Sequence, residues 1–193
     1  MLQVTRGAER SGEPGELMVA VIDGDNDAFR LLTRRLYGPA MGVAMRVLGD
    51  RAEAEDAVQA ALVKLWRQAA SFDATKAKVE TWFRRIVVNA CIDRKRTLRP
   101  VQPLDAVAER ASDAPDPEVT AMRSERARQV DAAMAHLPAR QRAAIAMFYG
   151  EGATMNEIAE VLETTPKAIE GLLARARAEL AERLQPLATE LNG

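Results

Sequence analysis

Four prolines, Pro100, Pro103, Pro115 and Pro117, crowd residues 100–117, and over 105–118 the acids Asp105, Glu109, Asp113, Asp116 and Glu118 face only Arg110. Proline removes a backbone donor and clashes one turn back, so no helix passes through such a stretch, and clustered like charges keep it extended. On both sides, apolar residues return at three- and four-residue steps, the period of a helix buried on one face. The chain must therefore divide. The expectation is an all-α protein of two small helical domains joined by a flexible linker. A loose arm over 1–15 precedes the first module at 16–98; the linker spans 99–119, the second module 120–186 and a tail 187–193.

Composition removes most chemistries. A single cysteine, Cys91, excludes a disulfide framework and a multi-cysteine zinc site and suits a reducing cytoplasm, whereas the single histidine, His136, excludes histidine-based triads and metal clusters. Aromatics are only 4 % and no strand-like alternation occurs. The N-terminus lacks the apolar core of a signal peptide, and no apolar run approaches the ~18 residues of a membrane span. No glycine-rich phosphate loop, nucleophile motif or carboxylate pair stands out. The expectation is a cytoplasmic binding protein without catalysis, cofactor, small-molecule substrate or membrane insertion.

In the first module, Leu17, Val21 and Ile22 form a short stripe ending at Asp23-Gly24-Asp25. A second helical stretch carries Phe29, Leu32, Leu36, Met41, Met45 and Leu48 and is expected to break at Gly38-Pro39. Asp50 with Glu53 caps a third helix running to about Ala69, with Ala54, Val58, Ala61, Leu62 and Leu65 inward. After a loop at Ser71–Lys76, a fourth helix extends from Val79 to about Arg96. It carries Arg84, Arg85, Arg94, Lys95 and Arg96, with Arg99 beyond, against the lone acid Asp93. Beside Trp82 and Phe72, such a basic face can grip phosphates and stack unpaired bases; the plainer reading places Trp66, Trp82 and Phe72 in the core. Cys91, between apolar neighbours, reads as a buried thiol.

Thr154-Met155-Asn156-Glu157 is a capping box, so a short helix starts at Met155 with Ile158, Ala159 and Leu162 on one face. Thr165-Pro166 opens another, running from Lys167 to about Arg183 with Ile169, Leu172, Leu173, Ala176 and Leu180 inward. Small Ala159 at the crossing and apolar Ile169 as anchor give the helix-turn-helix layout, with Glu163 where glycine often takes a left-handed conformation. Lys167, Glu170, Gly171, Arg175 and Arg177 fall on the outer face. Basic residues there can pair with guanine or phosphate and an acid with cytosine; the plain alternative is a solvated helix surface.

Several segments, in order, resemble the extracytoplasmic-function (ECF, group IV) sigma factors of the sigma-70 family. Leu48-Gly49-Asp50, Ala54-Glu55-Asp56-Ala57-Val58-Gln59 and Leu65-Trp66 are similar to that family's region 2.1–2.2. Thr81 through Asn89, with Ile92-Asp93, resembles region 2.3–2.4. Leu137-Pro138-Ala139-Arg140-Gln141-Arg142 and Ala174-Arg175-Ala176-Arg177 resemble region 4. Departures are Ala60-Ala61-Leu62, where relatives carry an acid, a small residue and Phe, and Glu170, where many carry a base.

The resemblance implies that Asp56, Gln59 and Leu62 dock on the clamp helices of the RNA polymerase β′ subunit, with the β flap as a further contact. It implies that Asn89 and the loop from Phe72 through Lys78 to Val79 receive a flipped base of the −10 promoter element. Arg84, Arg85, Lys95 and Arg96 hold the backbone there, and Lys167, Glu170, Gly171, Arg175 and Arg177 read the −35 element. Core polymerase, promoter DNA and an anti-sigma factor are the implied partners. Two other readings stay open: a self-sufficient helix-turn-helix regulator, and a helical adaptor that binds no DNA.

Overall fold

A computed structural model describes residues 12–98 and 125–190; the acidic linker expected at 99–119 and most of the N-terminal arm lie outside them. The described residues form eight α-helices and no strand. In the first module these are α1 (Pro14–Ile22), α2 (Asn26–Leu48), α3 (Arg51–Gln68), a 3₁₀ turn at Ala69–Ser71, and α4 (Val79–Leu98). The second contains α5 (Glu125–His136), α6 (Ala139–Glu151), α7 (Met155–Val161) and α8 (Pro166–Glu190).

Local chemistry sets most of the helix starts. Pro14 occupies the first turn of α1, where the missing donor costs nothing, so the helix begins inside the expected arm. The Asp25 carboxylate accepts from the Asp27 and Ala28 amides at the head of α2, and Asp50 accepts from Glu53 N–H at 2.9 Å at the head of α3. Gly49, at φ 77°, closes α2 in the left-handed conformation. The break expected at Gly38-Pro39 does not occur: α2 runs through Pro39, which lies on its exposed side, where a carbonyl left without its helical donor meets water.

The core of the first module is built on α2, which packs against α1, α3 and α4. Leu32, Val43 and Val47 of α2 meet Val58 and Leu65 of α3 and Phe83 and Val87 of α4, all at most 2 % exposed. Full burial of one Leu or Val side chain is worth roughly 1.5–3 kcal/mol, so a stripe of this kind outweighs the helix-breaking residue within α2.

Both expected modules are present, but they share a core. Helix α6 contacts α8 of its own module and also α2 and α4 of the other. Its residues from Arg142 to Met147 are all buried, and a helix apolar on every side cannot belong to the surface of a small free-standing domain.

Candidate nucleic-acid and polymerase interface

The second module builds its outward-facing helix, α8, from the turn onward. Thr154 and Glu157 form the reciprocal box: the Glu157 carboxylate accepts from Thr154 N–H at 2.8 Å, and Thr154 Oγ1 accepts from Glu157 N–H at 3.3 Å. The Thr154 amide, and the Thr154 hydroxyl that also donates to the carboxylate at 2.8 Å, hold the Glu157 carboxyl below its usual range. The turn between α7 and α8 passes through Glu163 at φ 50°, the one left-handed residue other than glycine among the described residues. Arg140 Nη2 donates to Leu162 O at 2.6 Å, fastening the head of α6 to the end of α7.

Thr165 Oγ1 accepts from Ala168 N–H at 3.2 Å and starts α8. Ile169, Leu173 and Ala176 are buried, which turns Lys167, Glu170, Arg175 and Arg177 outward. Lys167 Nζ lies 2.7 Å from Glu170 Oε2, and this bond lowers the Glu170 carboxyl below its usual range. Arg177 Nε donates to Leu173 O at 3.2 Å. Gly171 is half-buried, and a Cβ there meets only Arg175 Nη1, at 3.6 Å, so α8 stays open enough at this point for another backbone to approach.

On the first module, the turn at 71–77 and the start of α4 enclose a cleft of about 190 Å³. Phe72 and Trp82 form its aromatic wall, ring centroids 5.3 Å apart at 55°, and Arg85 and Glu160 reach its rim. The Asp73 carboxylate accepts from the Thr75 hydroxyl at 2.6 Å and the Thr75 amide at 3.0 Å and pairs with Lys76 at 3.0 Å. Those bonds hold Asp73 down at about 2 and fix the turn. Lys78 is exposed, but Val79 is 2 % exposed and packs into the core, so its side chain offers no contact from the surface. Asn89 is half-buried one helical turn beyond Arg85 and is not part of the cleft lining.

The basic residues of α4 are engaged. Arg84 Nε lies 3.3 Å from Glu151 Oε2 of α6, and Arg85 Nη1 lies 3.2 Å from Glu163 Oε1 in the α7–α8 turn. Lys95 Nζ donates to Ala135 O at 3.4 Å, and Arg96 pairs with Asp93 at 3.3 Å.

The face expected to meet polymerase lies on α3. Asp56 is exposed and bonded to Arg94 Nη2 at 2.7 Å; Arg94 also grips Glu53, and these carboxylates raise the guanidinium pKa further. Gln59 is exposed, whereas Leu62 is half-buried against the core. Trp66, readable from sequence as core, is 38 % exposed and packs edge-on against Phe29, centroids 4.8 Å apart. Neighbouring Leu65 takes the inward position, leaving Trp66 on the outer flank with exposed Val63. Trp82 and Phe72 pack against the core from its edge. Cys91 is buried, and burial pushes its thiol up to about 12.

Sequence reasoning missed Arg142, Glu151 and the apolar flank of Val63 and Trp66. The run Ala143-Ala144-Ile145-Ala146-Met147 was the available signal for α6: it has no polar position, so it needs cover on all sides.

Comparison with known proteins identifies the family. Residues 32–100 match Sigma-70 region 2, and residues 127–180 match Sigma-70, region 4. The ECF RNA polymerase sigma factor SigM of Mycobacterium tuberculosis is 35 % identical over 188 residues, 96 % of this chain and 92 % of that protein. The chain belongs to the ECF sigma factors of the sigma-70 family.

The RNA polymerase sigma-H factor of Pseudomonas aeruginosa is 30 % identical over 91 % of this sigma factor and 95 % of its own length. Among solved structures, CnrH in complex with the cytosolic domain of CnrY matches with a TM-score of 0.63 at 25 % identity, covering 89 % of this chain and 96 % of that one. RpoE of Bartonella quintana, crystallised with the anti-sigma factor NepR, shares the fold at a TM-score of 0.61 and 22 % identity, over 81 % and 96 % of the two chains. The region 2 match ends with α4, the helix that carries the basic face. The region 4 match contains α7, the turn and α8 as far as residue 180. No described helix is long and apolar enough to cross a membrane.

Proposed function

We infer that this ECF sigma factor binds core RNA polymerase and directs it to a defined set of promoters. The observation that carries the reading is the pairing, in order along one chain, of a region 2 module and a region 4 module. Its mechanism is binding. Helix α8 enters the major groove of the −35 element, where Arg175 and Arg177 pair with phosphate or guanine and the Lys167–Glu170 pair sets the register. The cleft beside Phe72 and Trp82 receives an unstacked base of the −10 element. Lys78, Arg84, Arg85, Lys95 and Arg96 hold the flanking phosphates, Asn89 hydrogen-bonds near the cleft mouth, and Val79 acts by holding the loop in place.

Asp56, Gln59 and Leu62 supply the polymerase contact on α3, with Arg94 presenting the Asp56 carboxylate and exposed Val63 and Trp66 widening the face. An anti-sigma factor restrains the protein, in keeping with the solved relative held by NepR. In vitro transcription tests the function. Purified protein with core polymerase is expected to initiate at promoters of its own genome that core polymerase alone ignores. Failure at every such promoter overturns the reading; an operator shift without polymerase would instead make the protein a self-sufficient regulator.

A further inference from the structure

The cations of α4 form one basic run in sequence, yet they serve two sides of the helix. Arg96 follows Arg85 by about three whole turns and so returns to the side of Arg85 and the aromatic cleft. Arg94 follows Arg85 by about two and a half turns and falls on the opposite side. There it meets α3. Its Nη2 donates to Asp56 Oδ2 at 2.7 Å and its Nε donates to Glu53 Oε2, across 38 and 41 positions of sequence. The donors that face α3 are taken, and a phosphate brought to this guanidinium would stand beside two carboxylates. Arg94 does not belong with the DNA-facing cations of its own helix.

The carboxylates it holds open a different face. Asp56, Gln59, Val63 and Trp66 follow at steps of three, four and three along α3, the spacing of one helix side, and all four are exposed. Glu53 lies one turn before Asp56, half-buried. Two carboxylates at that spacing repel each other. Glu55 has its own cation in Arg51, at 2.8 Å, whereas Glu53 and Asp56 share Arg94. A planar guanidinium can bond both at fixed angles, which a single ammonium cannot do. Asp56 meets Arg94 through one oxygen, and its side chain stays 58 % exposed, so the carboxylate keeps capacity to accept from a donor outside the chain.

We propose that Arg94 is a positioning residue of the polymerase contact: from the back of the DNA-facing helix it fixes the Asp56 carboxylate in the orientation that accepts a cationic side chain of core polymerase. This deepens the contact proposed above for Asp56 and rests on it. Fixing the carboxylate before polymerase arrives removes side-chain ordering from the cost of docking. A single helix then orients both contacts, with its cleft side towards DNA and its back towards polymerase.

The test measures the affinity of the full chain for core RNA polymerase and, separately, for a short single-stranded oligonucleotide carrying a −10 sequence. Arg94→Met keeps the apolar stem and removes the guanidinium. It is expected to weaken polymerase binding by roughly three- to tenfold, the range for members of one ion-pair network, and to leave oligonucleotide binding as it was. Asp56→Asn is expected to weaken polymerase binding too, and the double variant to lose little beyond Asp56→Asn alone, because the effect of Arg94 runs through that carboxylate. Arg94→Lys, a cation without the planar fork, is expected to restore part of the loss. Helix content and the urea midpoint are read for each variant; a clamp that is only structural lowers the midpoint and leaves the affinity of the folded chain alone.

Three results overturn the proposal: unchanged polymerase affinity in Arg94→Met, losses that add fully in the double variant, or oligonucleotide binding that falls in Arg94→Met. Should Arg94→Met fail to fold, Glu53→Gln, which weakens one of the two bonds and leaves α4 unaltered, takes its place in the same cycle with the same deciding outcomes. Asp56→Asn separates this inference from the contact beneath it. A loss there with none in Arg94→Met removes the positioning role alone, whereas no loss in either removes Asp56 from the polymerase face.

Discussion

Two single residues show what can be read from a sequence position and what cannot. Glu163 stands where a helix-turn-helix turn favours glycine, and the backbone there is left-handed, as the spacing of Thr154, Thr165 and Pro166 implies. Why an acid is kept there was not readable, because its partner Arg85 lies in the other module. Glu163→Gly is expected to raise stability by about 1 kcal/mol at high salt, where the exposed pair with Arg85 is screened, measured as a shift of the urea midpoint at constant slope. Cys91 gives a pH prediction. Its thiol ordinarily ionises near 9 and is held up at about 12 in the fold, so its contribution is complete below pH 9. As pH rises from 9 towards 12 the unfolded chain loses its thiol proton first and stability falls. Unfolding midpoints of the protein and of Cys91→Ala are expected to converge across that window. A constant gap would mean that the thiol is not shielded. Bulky thiol reagents are expected to label Cys91 only after denaturant is added.

At the scale of the element, helix starts were legible and helix continuity was not. Caps are local: Asp50 and Thr154 hydrogen-bond amides three residues away, so a few letters of sequence contain the whole interaction. Pro39 is local too, yet its cost competes with burial along the whole of α2, from Ala28 to Val47, and that sum depends on helices distant in sequence. Trp66 followed the same logic in reverse. Periodicity put Leu65 inward, and Trp66, also readable as core, lies on the outer flank edge-on to Phe29. The seven-residue helix α7 is too short to persist without its cap. Thr154→Ala is expected to destabilise the second module by about 1 kcal/mol, seen in chemical denaturation, and to weaken −35 duplex binding by the holoenzyme in step. A drop in binding with no change in stability would make Thr154 a DNA contact.

At the scale of the whole molecule, a formal charge of −1 on 193 residues looks unsuited to DNA. Segment by segment it divides into the basic face of α4 and acids that cover it, and the cover comes from the other module, at Glu151 and Glu163. The basic face of α4 and the outward face of α8 were legible because each is a contiguous run. Sequence could not locate the joint between the modules, whose bond from Arg142 to Arg46 spans 96 positions and shows only as the all-apolar run after Arg142. Neutrality also sets how the protein meets a promoter. Few phosphates can be engaged by the chain alone, so its affinity for promoter duplex is expected to be weak, with a shallow dependence on salt. The holoenzyme is expected to show a slope steeper by about 0.9 for each further phosphate it neutralises. Within the holoenzyme, Arg175→Ala separates the two uses of that residue. If Arg175 holds phosphate, affinity drops evenly across −35 sequences and the slope lessens by about one; if it reads guanine, discrimination at one base pair collapses at a cost of roughly 1–3 kcal/mol. Asn89→Ala makes the matching test on the first module. Polymerase binding should be preserved, because the contact proposed for it lies on α3, while open-complex formation measured by permanganate reactivity should fall. Unchanged melting would remove Asn89 from the strand path and leave the cleft beside Phe72 and Trp82 to hold the base alone.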